Sequence, residues 1–183
     1  KMKHKLESEV SLHKGKIIKW SGDGAICSFD SAIESVRAAL AVQIVLQQEP
    51  KVPVRIGIHQ ADVIFEEADV LGDGVNIASR LESLAIPGSI IISAKVYDDL
   101  KNQKDIHTIS LGKYLLKNVK EPVEIYAVSN AGLVVPLNKK LEGKGIKYVS
   151  KKLSIGKKTL AIRLGLLVVA LSVAAYIFIP PIL

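Results

Sequence analysis

Two short stretches of this chain bring carboxylate, glycine, amide and guanidinium groups together at spacings that could do chemistry. In the first, Lys19-Trp20-Ser21-Gly22-Asp23-Gly24, a carboxylate stands between glycines. A tight turn there would project Asp23 beyond its flanking strands with little competing bulk, which suits ligation of a hard cation such as Mg²⁺. The same residues also make an ordinary hairpin turn, and the stretch alone does not separate the two readings. In the second, running from Asp69 through Val70-Leu71-Gly72-Asp73-Gly74 to Val75-Asn76-Ile77-Ala78-Ser79-Arg80, helical geometry from Val75 onward would place Asn76 and Arg80 on one face. Val75, Ala78 and Leu81 would then turn toward a sheet. An amide and a guanidinium pointing together near a helix start suit an anionic ligand, and a guanidinium stabilises charge in phosphoryl transfer. The alternative is a solvated face on which Arg80 pairs with Glu82 or another surface acid. His59 and Cys27 lie in apolar strand contexts and read as structural. His4, His13 and His107 form no metal-ligand spacing.

The elements that must position these residues follow from periodicity and breakers. Residues 1–13 read as the end of a helix. Residues 16–20 and 25–29 are apolar runs joined by the Asp23 turn, a hairpin pattern. Ser31 with Glu34 forms a capping box before Val36, Leu40 and Ile44 recur at helical spacing, and Pro50 and Pro53 close that helix. Residues 54–58 read as a buried strand, 63–65 as its neighbour or continuation, and Gly72-Asp73-Gly74 as the turn opening a second helix that ends at Pro87-Gly88. Residues 89–92, 106–116 and 123–128 read as strands, with a short helix over 93–100. Such alternation predicts an α/β fold with helices packed on a sheet.

Composition narrows the partners. The formal charge of the 183 residues is +7, but residues 139–158 hold eight lysines against one acid, Glu142, and the preceding part is close to neutral. A near-neutral domain lacks the clustered cations that phosphate-backbone binding needs, and 5% aromatics leave little for stacking on bases, so no nucleic-acid partner is expected. The basic stretch leads into residues 164–179, which carry no charge. As a helix they would reach roughly 24 Å against a hydrocarbon core of about 30 Å, so a membrane helix is expected there, with the lysine side in the cytoplasm. A buried terminal helix is the alternative. A lone cysteine, Cys27, fits a reducing compartment.

Taken in order, Gly15-Lys16-Ile17-Ile18-Lys19-Trp20-Ser21-Gly22-Asp23-Gly24, Val54-Arg55-Ile56-Gly57-Ile58-His59, Gly72-Asp73-Gly74-Val75-Asn76-Ile77-Ala78-Ser79-Arg80-Leu81 and Leu116-Lys117-Asn118-Val119-Lys120-Glu121-Pro122-Val123-Glu124-Ile125-Tyr126 resemble successive motifs of class III nucleotide cyclases, over residues 14–128. The resemblance implies an α/β (α+β), ferredoxin-like fold that works as a dimer and converts ATP to 3′,5′-cyclic AMP and diphosphate with two Mg²⁺ or Mn²⁺ ions. It implies that Asp23 is one of two metal-binding aspartates, that Lys19 and Asp69 read adenine, that Asn76 orients the ribose, that Arg80 stabilises charge at the phosphates, and that Lys117 holds the terminal phosphates. Two departures accompany it. A further metal-binding aspartate is expected on a strand well upstream of the hairpin, and nothing in residues 1–16 matches it; Ala61 stands where the resemblance implies glycine, and its methyl group is expected to crowd close backbone packing. With Lys1 at one end and an apolar run at the other, the chain reads as a fragment: a cyclase catalytic domain lacking its first strand at 1–130, a basic linker at 131–159 and a membrane helix at 160–183, anchored with its cyclase domain in the cytoplasm. A catalytically inactive homology domain, used for dimerisation or nucleotide sensing, is the competing expectation.

Overall fold

In the computed structural model, which describes residues 2–66, 69–136, 141 and 146–149, helix α1 (Met2–Leu12) enters an antiparallel hairpin of β1 (Lys16–Ser21) and β2 (Gly24–Ser28). Helix α2 (Ala32–Leu46) follows, then β3 (Ile56–Ile58), a second hairpin of β4 (Ile64–Glu66) and β5 (Asp69–Leu71), and α3 (Asp73–Leu84). Strand β6 (Ile90–Ser93), α4 (Ala94–Leu100), β7 (Thr108–Leu115), β8 (Val123–Val128) and β9 (Ile146–Lys147) complete the order. The chain divides into two units, Lys1–Tyr148 and Val149–Leu183, and these elements all belong to the first.

Five strands form the main sheet in the order β3-β6-β8-β7-β9, with β3 and β6 parallel and the other pairs antiparallel. Successive side chains on a strand face opposite sides, so β6 supplies both faces of the sheet. Ile91 joins Ile125, Ala127 and Tyr114 beneath Leu81 and Leu84 of α3, while Ile90 and Ile92 join Val128 beneath Val36 and Ala39 of α2 and Val96 and Leu100 of α4. A strand covered on both faces needs an unbroken apolar run, which explains Ile90-Ile91-Ile92. Leu141 and Val135 pack into the first of these cores and Leu133 into the second, and β9 pairs with β7, all within the stretch read as linker at 131–159.

Several details differ from the sequence reading. Among the described residues the β1–β2 and β4–β5 hairpins are each two-stranded sheets separate from the five-stranded one. Residues 63–65 do not extend the preceding strand; as β4 they pair with β5, a strand too short to show periodicity. The capping box forms by half. Ser31 accepts from the Glu34 amide at 3.3 Å, but the Glu34 carboxylate turns to His13 Nδ1 and Arg37 Nη1, each at 2.9 Å, and these bonds hold its carboxyl below the ordinary range. Helix α2 buries Val36, Ala39, Val42, Gln43 and Leu46, whereas Ile44 is exposed, because buried Gln43 takes an inward place by donating to the Val54 and Ser89 carbonyls. The membrane helix read at 160–183 lies outside the described residues, as does most of the 131–159 linker. Among the described residues no helix is long and apolar enough to cross a membrane.

Candidate functional site

The β1–β2 hairpin closes on Ser21 and Gly24, so Gly22 and Asp23 are its two turn residues. Gly22 has φ 63°, the left-handed conformation that a type II′ turn asks of its first central residue. Asp23, the second, is exposed at the tip. A bulge between Ile17 and Lys19 shifts the register of β1, so that Lys19 pairs with Ile26, and Lys19 is exposed. Strand β5 lies against β1, which brings the backbone of Asp69 to the same region as Lys19.

From β5 the chain passes through Gly72 directly into α3, whose N-terminus has no side-chain cap. Asn76 is exposed one turn into the helix, and Arg80 is half-buried one turn further along. Arg80 Nε is fully buried and meets no hydrogen-bond partner among the described residues. The pairing with Glu82 considered for Arg80 is not made: Glu82 Oε1 lies 2.7 Å from Arg55 Nη2. Lys117 is exposed on the turn after β7, next to Asn118 with φ 64°. Thus Asn76 and Arg80 share one helix face, and Lys19 and Asp69 lie on touching strands. No hydrogen bond or ion pair among the described residues joins Asp23 or Lys117 to the α3 pair.

As for a metal, the donor chemistry of Asp23 suits a hard cation. One exposed carboxylate does not make a centre, however, and among the described residues no group of three or more His, Cys, Asp and Glu side chains could hold an ion. The described donors therefore do not fit a complete two-metal site.

His59 Nδ1 lies 2.8 Å from Ser93 Oγ, and burial, aided by the Lys95 ammonium, lowers its pKa to about 4, so the ring is neutral near pH 7. Burial pushes the Cys27 thiol up to about 11.

Residues 13–130 match the family model of the adenylate and guanylate cyclase catalytic domain. The chain belongs to that family. Its relatives include the putative adenylate cyclase 3 of Rhizobium meliloti, 34% identical over 134 residues that make up 69% of this chain and 23% of that protein. An adenylate cyclase of Streptomyces coelicolor is 28% identical over 97 residues, 52% of this chain and 26% of that protein. The chain thus spans about a quarter of the length of these two curated relatives. Among solved structures, the adenylate/guanylate cyclase/hydrolase of Silicibacter pomeroyi superposes with a TM-score of 0.64 at 29% identity, covering 69% of this chain and 79% of that one. The adenylyl cyclase CyaB of P. aeruginosa shares the fold, with a TM-score of 0.60 at 24% identity, over 73% of this chain and 82% of that one. In this cyclase domain the four motifs fall on the β1–β2 hairpin, on β3, at the β5–α3 junction and on the β7–β8 turn. What sequence reasoning missed is tertiary: strand β5, the orphaned Nε, and two close contacts of α3, at Gly57 and between Ala61 and Gly74.

Proposed function

We propose that this cyclase domain forms cyclic AMP and diphosphate from ATP at an interface between two copies of the chain. The observation that carries the proposal is Arg80 Nε, a buried cationic donor without a partner among the described residues, on the same helix face as Asn76. An unpaired buried donor is costly, and a ligand oxyanion is the natural group to satisfy it. In this reading the Arg80 guanidinium stabilises negative charge as the ribose 3′-hydroxyl attacks the α-phosphorus, and Asn76 orients the ribose. Lys19 and Asp69, on touching strands, offer one donor and one acceptor, the complement of adenine's ring nitrogen and exocyclic amine; guanine presents the reverse pattern. Lys117, placed apart on its turn, is assigned to the terminal phosphates. The family's chemistry is generally metal-dependent, and a bound Mg²⁺ or Mn²⁺ would supply charge neutralisation at the phosphates. Asp23 is one oxygen ligand for such an ion, and the remaining ligands would come from outside the described residues.

The test is product formation from ATP and from GTP with Mg²⁺ or Mn²⁺, in the protein and in its Arg80→Ala and Lys19→Glu variants. Cyclic AMP formation lost in Arg80→Ala, with ATP use selectively weakened in Lys19→Glu, is expected; cyclic GMP as the main product would overturn the substrate assignment. The single carboxylate at Asp23 favours a second reading, a nucleotide-binding homology domain without turnover. Saturable ATP binding with no cyclic product in the full-length protein would establish it.

A further inference from the structure

Two close contacts seat α3 against β3 and the loop that follows. Gly57, in mid-strand and paired with Ile91 of β6, faces the helix backbone: a Cβ built there would fall on the Glu82 amide nitrogen, 2.5 Å from the Ala78 carbonyl oxygen and 2.8 Å from the Leu81 carbonyl carbon. The Ala78 carbonyl and the Glu82 amide are the two ends of one helical hydrogen bond, and Arg80 is the residue midway between them. Backbone atoms cannot swing aside as the end of a side chain can, so the missing side chain at residue 57 sets how near the helix approaches the sheet. The second contact is in the first turn. A Cβ on buried Gly74 would collide with the Ala61 Cβ, and would lie 3.7 Å from the Ala61 Cα and from His59 Cδ2. Asn76 lies between the two contact points.

The Ala61 methyl, expected from the sequence to crowd the backbone, instead occupies the space left by the absent side chain of residue 74. Positions 61 and 74 share room for one methyl group. We propose that Gly57 and the Ala61–Gly74 contact are positioning elements that set the height and rotation of α3, and through it the aim of Asn76 and Arg80. Volume added at either contact moves the helix and re-aims the guanidinium. The geometric claim stands on the contacts alone; its consequence for turnover rests on the proposed role of Arg80.

The buried Nε–H of Arg80 is a reporter, because its ¹H–¹⁵N resonance and its exchange with water read its surroundings directly. In Gly74→Ala the resonance shifts and exchange speeds up, and in Ala61→Gly/Gly74→Ala, where the methyl has only changed sides, both return toward their original values. Gly57→Ala, which has no such partner to trim, shifts the resonance without rescue by Ala61→Gly. In the full-length protein kcat for ATP falls about 10²-fold in Gly74→Ala, with KM largely kept, and recovers in the double variant. Alanine is a better helix former than glycine, so a Gly74→Ala protein that loses its fold while the double variant keeps it reports the same collision. An unchanged Arg80 resonance in folded Gly74→Ala, or a double variant no closer to the original than the single one, overturns the proposal. If instead the resonance moves and recovers as described while turnover ignores both these changes and Arg80→Ala, the positioning holds and the role assigned to Arg80 is the part that fails.

Discussion

Replacing Arg80 by Met separates what the guanidinium does to the fold from what it does for a ligand. Methionine keeps a flexible apolar stem along the half-buried path of the side chain and deletes Nε, which is buried and unpaired among the described residues. An unsatisfied buried donor costs about 1–3 kcal/mol, and more when charged. Against this stands some lost packing and the loss of hydration at the guanidinium tip, leaving a net stabilisation of about 1 kcal/mol. In a domain of this size that raises Tm by about 2–4 °C, readable by calorimetry and by urea unfolding with an unchanged m-value. In the proposed reaction the same substitution removes the cation that stabilises developing charge, so kcat for ATP should fall about 10²–10³-fold. Stability and turnover therefore move in opposite directions. A variant less stable by more than about 1 kcal/mol would refute the reasoning, since it would mean that the guanidinium is already satisfied in the folded protein without a ligand.

Other perturbations test the surroundings. His59 has a folded pKa of about 4 against an ordinary 6.5, so the unfolded chain binds its proton first; stability should fall as pH drops from 6.5 toward 4, and urea titrations of His59→Gln should show a flatter slope in that window. Cys27, raised from 9.0 to about 11, should react with iodoacetamide at pH 8 about 10²-fold more slowly in the native protein than in urea. Ser31→Ala removes the N-cap acceptor of α2 and should cost about 1 kcal/mol in urea unfolding, with no change in nucleotide binding.

Much of the scaffold was legible because its signals are local. The Gly22-Asp23 turn, the Ser31 cap and the triple isoleucine of β6 each announce an element through nearest-neighbour chemistry. The misses arise chiefly from a different cause, namely groups distant in sequence. Glu34 left its half of the capping box because His13, 21 residues away, and Arg37 compete for its carboxylate. Ile44 lost an inward place to Gln43 because two carbonyls, from Val54 and Ser89, satisfy the amide. Glu82 turned to Arg55, far away in sequence, and not to Arg80, which stands two residues away on a different face of the helix. The sequence predicts that the Ala61 methyl crowds nearby backbone, but not which backbone: its counterpart, Gly74, emerges only from the fold of the loop back on the helix.

The supports of the candidate site are unequal, and the inequality bears on how the site could be completed. Asn76 and Arg80 ride on a helix that touches β3 backbone to backbone and buries Leu81 and Leu84 in the main core. Lys19, Asp23 and Asp69 stand instead on two-stranded hairpins that form sheets of their own beside the five-stranded one. A two-stranded hairpin is marginal by itself, and these two lean mainly on each other and on α1, where Lys3 Nζ sits 4.7 Å from the Trp20 ring centre. The β4–β5 hairpin also leaves Ile64 and Phe65 at 69% and 58% exposure, with Leu71 beside them at 47%. Apolar side chains grouped on a two-stranded hairpin gain from being covered, and a cover there would also brace the strands that carry Lys19 and Asp69. A second copy of the chain seated there, as proposed for the cyclase dimer, would thus do two things at once: bury the exposed apolar surface and brace the strands that carry Lys19 and Asp69.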